Sequence, residues 1–281
     1  MHFTRLGWFV IATAALTFAP GLPKARAQGA SEWDKDMHSA ARLIVSAPLK
    51  SADALLLRAG IQIRLDPGWD TYWRYPGDSG VPPKFDFGGS QNIKSVTVLW
   101  PAPERFPDGA GGHSIGYIGE LILPLRIVPS DAAKPSTIRL QLDYAVCATM
   151  CIPAKADLTL PLAGGIGANE KALEAAEARV PRRETLGAGS NLAVRAIHRD
   201  AHQRVVVDVA APEGTSVDLF VEGPTPDWSL PLPERSGVRA GTQRFTFDLD
   251  GLPPGANADG APLTFTVVSP DDAIEVVTPL D

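Results

Sequence analysis

The sequence predicts an all-β protein made of two sandwich domains joined by a short helical linker, and three observations carry that prediction. From residue 43 onward the chain is a succession of short apolar or alternating runs, punctuated by proline and glycine, of which it holds 26 each. Runs of that length and punctuation are strand signatures. A single passage, Asn169 to Val180, has the Ala- and Glu-rich text of a helix, with Asn169 placed to cap it and Pro181 to stop it. Glycine clusters flank the helix, Gly164-Gly165-Ile166-Gly167 before it and Gly187-Ala188-Gly189-Ser190 after it, and flexible joints of this kind mark domain boundaries.

The expected organisation is a leader over 1–27, a first β domain over 28–165, a helical linker over 166–189 and a smaller β domain over 190–281. Met1 to Arg5 carries positive charge, Leu6 to Ala19 is an apolar run, and Ala25-Arg26-Ala27 is a small-x-small cleavage site, the pattern of a secretory signal peptide. Fourteen apolar residues fall short of the roughly 20 that span a bilayer. The expected product is therefore exported to the periplasm without membrane insertion. Without Arg5, Lys24 and Arg26 the chain keeps 23 basic against 32 acidic residues, a formal charge of −9, which argues against nucleic acid and anionic lipid as partners.

In the first block the expected strands are Ala54 to Leu65, Ser95 to Trp100, Glu120 to Val128, Thr137 to Tyr144 and Asp157 to Leu162. Ile138-Arg139-Leu140-Gln141-Leu142-Asp143-Tyr144 alternates cleanly, as does Asp157 to Leu162, so the segment between them connects two strands of one sheet. In the second block they are Leu192 to His198, Arg204 to Ala210, Ser216 to Glu222, Gln243 to Leu249, Leu263 to Ser269 and Ala273 to Thr278, enough for a small β-sandwich.

Cys147 and Cys151, the only cysteines, lie in that connection with three residues between them. Closing so short a loop stabilises a fold by only about 2 kcal/mol, so a structural motive is weak and a bridge that opens and closes is the leading reading. No Lys or Arg precedes Lys155 in the motif and no helix N-terminus is at hand, so the thiolate is not expected to be strongly activated.

Four motifs, in order, resemble the N-terminal periplasmic domain of the thiol:disulfide interchange protein DsbD and of ScsB-type relatives. They are Gly68-Trp69-Asp70-Thr71-Tyr72-Trp73-Arg74-Tyr75-Pro76-Gly77-Asp78-Ser79-Gly80, Trp100-Pro101-Ala102-Pro103-Glu104-Arg105-Phe106, Gly119-Glu120-Leu121-Ile122-Leu123-Pro124-Leu125, and Tyr144-Ala145-Val146-Cys147 through Cys151-Ile152-Pro153. The resemblance implies an immunoglobulin-like sandwich, in a stand-alone form, whose cysteine pair relays reducing equivalents. The donor would be a separate membrane-embedded dithiol carrier, and the acceptors periplasmic thioredoxin-like proteins or disulfide isomerases, with no cofactor. Cys147 and Cys151 become the redox pair, Glu104 to Tyr117 the cap over it with Phe106 as aromatic lid, and Tyr72, Trp73 and Tyr144 the site lining. The DsbD domain has five residues between its cysteines where this chain has three.

Two other readings compete. Cys147, Met150 and Cys151 are soft ligands suited to Cu(I), with His113 as a fourth. Alternatively the bridge is structural and the chain a binding module without chemistry. Asp66, Asp70 and Asp78 read as solvated turn residues and His38, His198 and His202 as surface histidines.

Overall fold

The computed structural model describes residues 29–50, 55–163, 167–189, 191–239 and 241–281, so the expected leader lies outside the described residues. The first unit is a sandwich of β1 (Asp34–Asp36), β2 (Ser39–Val45), β3 (Leu49–Lys50), β4 (Leu55–Leu65), β5 (Asp70–Gly77), β6 (Lys84–Asp86), β7 (Ile93–Val98), β8 (Glu104–Pro107), β9 (His113–Ile118), β10 (Glu120–Pro129), β11 (Thr137–Cys147) and β12 (Cys151–Pro161). One sheet runs β1-β2-β4-β10-β7 with β3 on β4, and the other runs β12-β11-β5-β9-β8 with β6 on β11. Successive side chains on a strand face opposite ways. On β11 this sends Leu140, Leu142, Tyr144 and Val146 into the core between the sheets, against Leu43, Ile61, Leu123 and Leu125. The odd-numbered residues, Arg139 to Cys147, face outward.

Helix α1 (Glu170–Ala178) is more than a linker. It lies on the outer face of the first sheet, where Gly60 leaves room for it: a Cβ on Gly60 would stand 2.9 Å from Leu173 Cδ1. Arg58, buried beneath the helix, donates to Glu177 and Glu170, and Arg126 donates to Glu177. Asn169 stands at the N-cap, yet its side chain makes no capping bond; its amide donates instead to Gly29 O at 2.6 Å, tying the helix start to the first unit.

The second unit is formed by β13 (Arg182–Glu184), β14 (Ala193–Arg199), β15 (Val205–Ala210), β16 (Asp218–Glu222), β17 (Glu234–Arg239), β18 (Thr242–Phe247), β19 (Pro262–Val268) and β20 (Ala273–Pro279). They make two four-stranded sheets, β13-β20-β19-β16 and β14-β15-β18-β17, around Val207, Leu219, Trp228, Phe245 and Phe265. The mostly-strand, single-helix architecture matches the all-β expectation. Among the described residues no helix is long and apolar enough to cross a membrane.

The two units share buried surface. Phe220 and Leu232 of the second join the core of the first, and the Phe220 ring packs on Trp73 with centroids 5.8 Å apart. Arg74 donates to Glu222 at 2.7 Å and Glu275 at 2.6 Å, the Tyr75 hydroxyl donates to Leu230 O, and Arg105 donates to Asp218 and to the carbonyls of Leu219 and Pro233.

Candidate redox site

Cys147 ends β11 and Cys151 begins β12, and the two are the last register pair of an antiparallel hairpin paired without interruption back to Thr137 and Pro161. Ala148, Thr149 and Met150 form the turn, closed by a bond from Ala148 N–H to Met150 O. The ladder alone therefore brings the cysteines together, with Cα atoms 4.1 Å apart, and they are joined as a disulfide. Their exposure differs: Cys147 is 5% exposed, while Cys151 and the turn are open to solvent and Met150 is 69% exposed.

The strand beside the hairpin supplies the rest of the site. The Asp66-Pro67-Gly68-Trp69 turn, with Gly68 at φ +83° and Trp69 N–H bonded to Asp66 O, delivers the chain into β5. β5 then pairs with β11 so that Asp70 stands opposite Cys147 and Thr71 opposite Val146, and the Thr71 hydroxyl locks the pairing by donating to Ala145 O at 2.8 Å. Opposed residues share a face, so Asp70 and Tyr72 lie on the outer face with Cys147. There Tyr72, Ala145 and Cys147 form a small buried cluster of their own. A disulfide sulfur has no proton to give, so the Tyr72 hydroxyl donates to both, at 2.6 Å from Cys147 Sγ and 3.0 Å from Cys151 Sγ. Burial, with the Asp70 and Asp108 charges adding to it, raises the Tyr72 hydroxyl above its ordinary pKa against an opposing hydrogen bond from Ser114, so it stays protonated. Gly80, at φ +131°, presses on the Tyr72 ring so closely that a Cβ there would stand 2.4 Å from Cε1.

Alternation removes two of the expected lining residues. Trp73 follows Tyr72 and so faces the opposite way, fully buried against Phe220. Tyr144 is an odd number of residues from Cys147 and faces the core, where its hydroxyl bonds Ser39 Oγ at 2.6 Å. Neither lines the cysteine site. The expected cap, Glu104 to Tyr117, is the β8–β9 hairpin of the same sheet, with Phe106 opposite Ser114. Its glycine-rich turn is organised by Asp108, which accepts from Ala110 N–H, Gly112 N–H and the Ser79 hydroxyl. His113 opens β9, its N–H on Asp78. Among the described residues no group of three or more His, Cys, Asp and Glu is arranged to hold a metal ion. The bridged sulfurs are not thiolates, so a copper site at Cys147, Met150, Cys151 and His113 would need the reduced pair.

Asp70, expected from the sequence in a solvated turn, is not solvated in the structure. It opens β5, its Oδ2 is buried without a hydrogen-bond partner, and burial pushes its carboxyl up to about 6. Asp66 and Asp78 do lie in turns, Asp66 paired with His38 at 3.1 Å. A cleft of about 660 Å³ between the two units is lined by Arg105, Arg179, Asp218 and Arg235. The Arg105 and Arg235 guanidiniums in it are occupied by Asp218, Ser216 and backbone carbonyls, which makes it a weaker candidate than the cysteine hairpin.

Residues 45–163 match the family described as thiol:disulfide interchange protein DsbD, N-terminal. No curated protein matches the chain. Among solved structures, the N-terminal periplasmic domain of ScsB from Proteus mirabilis superposes with a TM-score of 0.71 at 22% identity, covering 90% of this chain and 98% of that one, so the paired-sandwich fold is common to both. Over residues 45–163 the first sandwich, with its cysteine hairpin, is thus similar to the N-terminal domain of the thiol:disulfide interchange protein DsbD.

Proposed function

We propose that this chain is a periplasmic relay, accepting reducing equivalents from a membrane-embedded dithiol carrier and passing them to thioredoxin-like or disulfide-isomerase acceptors. One observation carries the reading: the bridge joins two residues that the hairpin already holds in register, with one of the two cysteines, Cys151, exposed and a tyrosine hydroxyl donating to both sulfurs. A bridge of this kind adds little constraint to the fold and is open to attack.

The exposure of Cys151 supports one order of events. A partner thiolate attacks Cys151 Sγ; the S–S bond breaks and its electron pair stays on Cys147 Sγ, where the Tyr72 hydroxyl steadies the charge. The mixed disulfide on Cys151 is resolved by the partner's second thiolate, which releases reduced Cys151 and oxidised partner. Onward transfer reverses the roles: Cys151 thiolate attacks the acceptor's disulfide and Cys147 resolves the adduct. The periplasmic setting is supported by the leader-like N-terminal sequence and by the periplasmic origin of the ScsB domain.

The test is the reduction potential of the Cys147–Cys151 pair, by equilibration in glutathione and dithiothreitol buffers with alkylation of free thiols. A value between about −180 and −270 mV is expected for an exchange protein. A value below about −300 mV would mark a bridge that resists reduction and would reject the relay.

A further inference from the structure

Thiol exchange at this hairpin must place a proton. When the bridge opens, Cys147 leaves as a thiolate in a nearly closed environment, and it must lose a proton again before it can resolve an adduct. We propose that Asp70 is the acid–base group for Cys147, giving its carboxyl proton to the departing Cys147 sulfur and taking it back when Cys147 attacks. This rests on the exchange function proposed above.

Three structural observations support it. Asp70 is the register partner of Cys147 on the neighbouring strand, and opposed side chains have Cβ atoms about 4.5–5.5 Å apart on one face, within reach of a carboxyl and a thiol. Asp70 Oδ2 is buried and unpartnered in the oxidised protein, so one oxygen is free for the sulfur. On its other side β5 pairs with β9, where Asp70 meets Ile118, an exposed apolar residue with no polar group to offer.

The surrounding charges leave this carboxyl to itself. On its own strand it faces Tyr72, which stays protonated. From β11 and β12 it faces Cys147, then Cys151, with the Asp143–Lys155 ion pair further along the same outer face and closed on itself at 2.8 Å. Asp108 of the β8–β9 turn acts on Tyr72 and is held by backbone N–H groups. His38, in the turn between β1 and β2, and Asp66, in the turn before β5, pair with each other. Burial alone sets the carboxyl at about 6, close to neutrality, where an acid–base group is most effective.

The balance closes: the partner thiolate supplies the electron pair, the S–S bond accepts it, and one proton passes from Asp70 to Cys147. On reoxidation the same proton returns to the carboxylate while the Cys147 electron pair remakes a sulfur–sulfur bond.

The experiment measures the rate of reduction of the full-length protein's disulfide by excess dithiothreitol from pH 5 to 8, read by quenching and alkylation and corrected for the reductant's thiolate fraction. In the wild type the corrected rate constant should rise about tenfold or more as pH falls, with an inflection near 6, in line with general acid catalysis. Asp70→Asn should be flat at the low, alkaline-limb rate. A flat profile at the acid-limb rate would mean that the carboxylate merely repels thiolates, and a profile like the wild type's would mean that it does nothing; either overturns the assignment while leaving exchange intact. A wild-type bridge that dithiothreitol does not open at any pH overturns both proposals. Titration of the Asp70 carboxyl carbon by NMR in the oxidised wild type gives a check independent of any variant: a midpoint near 6 supports the role, and one near 4 removes it.

Discussion

Tyr72 and Trp73 are neighbours in the chain and serve opposite sides of one strand. Tyr72 points out to the sulfurs; Trp73 points in to Phe220. The cysteine spacing announced the bridge, but assigning the residues around it needed the parity of β5, and Pro67, Gly68, Pro76 and Gly77 made that strand read as turn. For Tyr144 the signal was present: it is three residues from Cys147, hence on the opposite face of any strand that includes both. Asp70 reads as a solvated turn residue in the sequence because its character comes from burial, which no local pattern shows. That burial has a consequence for stability. A carboxyl raised to about 6 binds its proton more tightly folded than unfolded, where the midpoint is near 4, so stability falls as pH rises from about 4 to 6 and stays reduced above. Asp70→Asn should therefore be more stable than wild type at pH 7.5, by on the order of 1 kcal/mol once the residue's partial exposure is discounted, and no more stable at pH 4. Urea unfolding at the two pH values checks this; a variant less stable at pH 7.5 would show that the carboxylate makes a favourable contact there.

At the scale of elements, the β12 edge is closed to further strands. Asp36 and Asp34 of β1 accept from the outward N–H groups of Lys155 and Asp157 at 3.0 and 2.8 Å. By alternation Pro153 and Pro161 occupy outward positions of the same edge, where a missing N–H costs no ladder bond. Open edges invite pairing between molecules, and this one belongs to the hairpin that carries the disulfide. Replacing Asp34 and Asp36 together by alanine should leave reduction by dithiothreitol unchanged and produce concentration-dependent self-association in sedimentation velocity; a strictly monomeric variant would show that the prolines suffice. Strands with clean alternation, such as Ile138 to Tyr144 and Asp157 to Leu162, were legible in sequence. β8, β9 and β17 were not, because they are short and their text does not alternate cleanly: β8 and β17 are largely charged, and β9, though its Ile115 and Tyr117 are buried in the core, follows a glycine-rich turn and is interrupted by Gly116. The helix was legible in extent, but its docking on Gly60 and Arg58 was not, since a missing side chain on a distant strand is what admits it.

In the whole molecule, β5 connects the redox face to the second sandwich. Arg74 carries the principal ion pair of that interface, its guanidinium between Glu222 and Glu275. Removing one member of such a cluster leaves the others desolvated and, here, Glu222 unbalanced, with Glu275 left only the exposed Arg183 at 3.7 Å. Arg74→Ala should destabilise the protein by about 3 kcal/mol and split a single calorimetric transition into two as the sandwiches come apart; an unchanged melting profile would mean that the Trp73–Phe220 contact suffices. The match to the DsbD family ends at residue 163, yet the first core draws Phe220 and Leu232 from beyond it. Family boundary and physical boundary therefore differ, and the difference should leave an evolutionary trace. In proteins that carry this sandwich without a companion, an indole, a guanidinium and a phenol at the positions of Trp73, Arg74 and Tyr75 would have no counterpart to meet, so those three positions should drift toward small or hydrophilic residues while the tyrosine at position 72 does not. Composition at three sites on one strand would then tell, from sequence alone, which members of the lineage ever had a second domain.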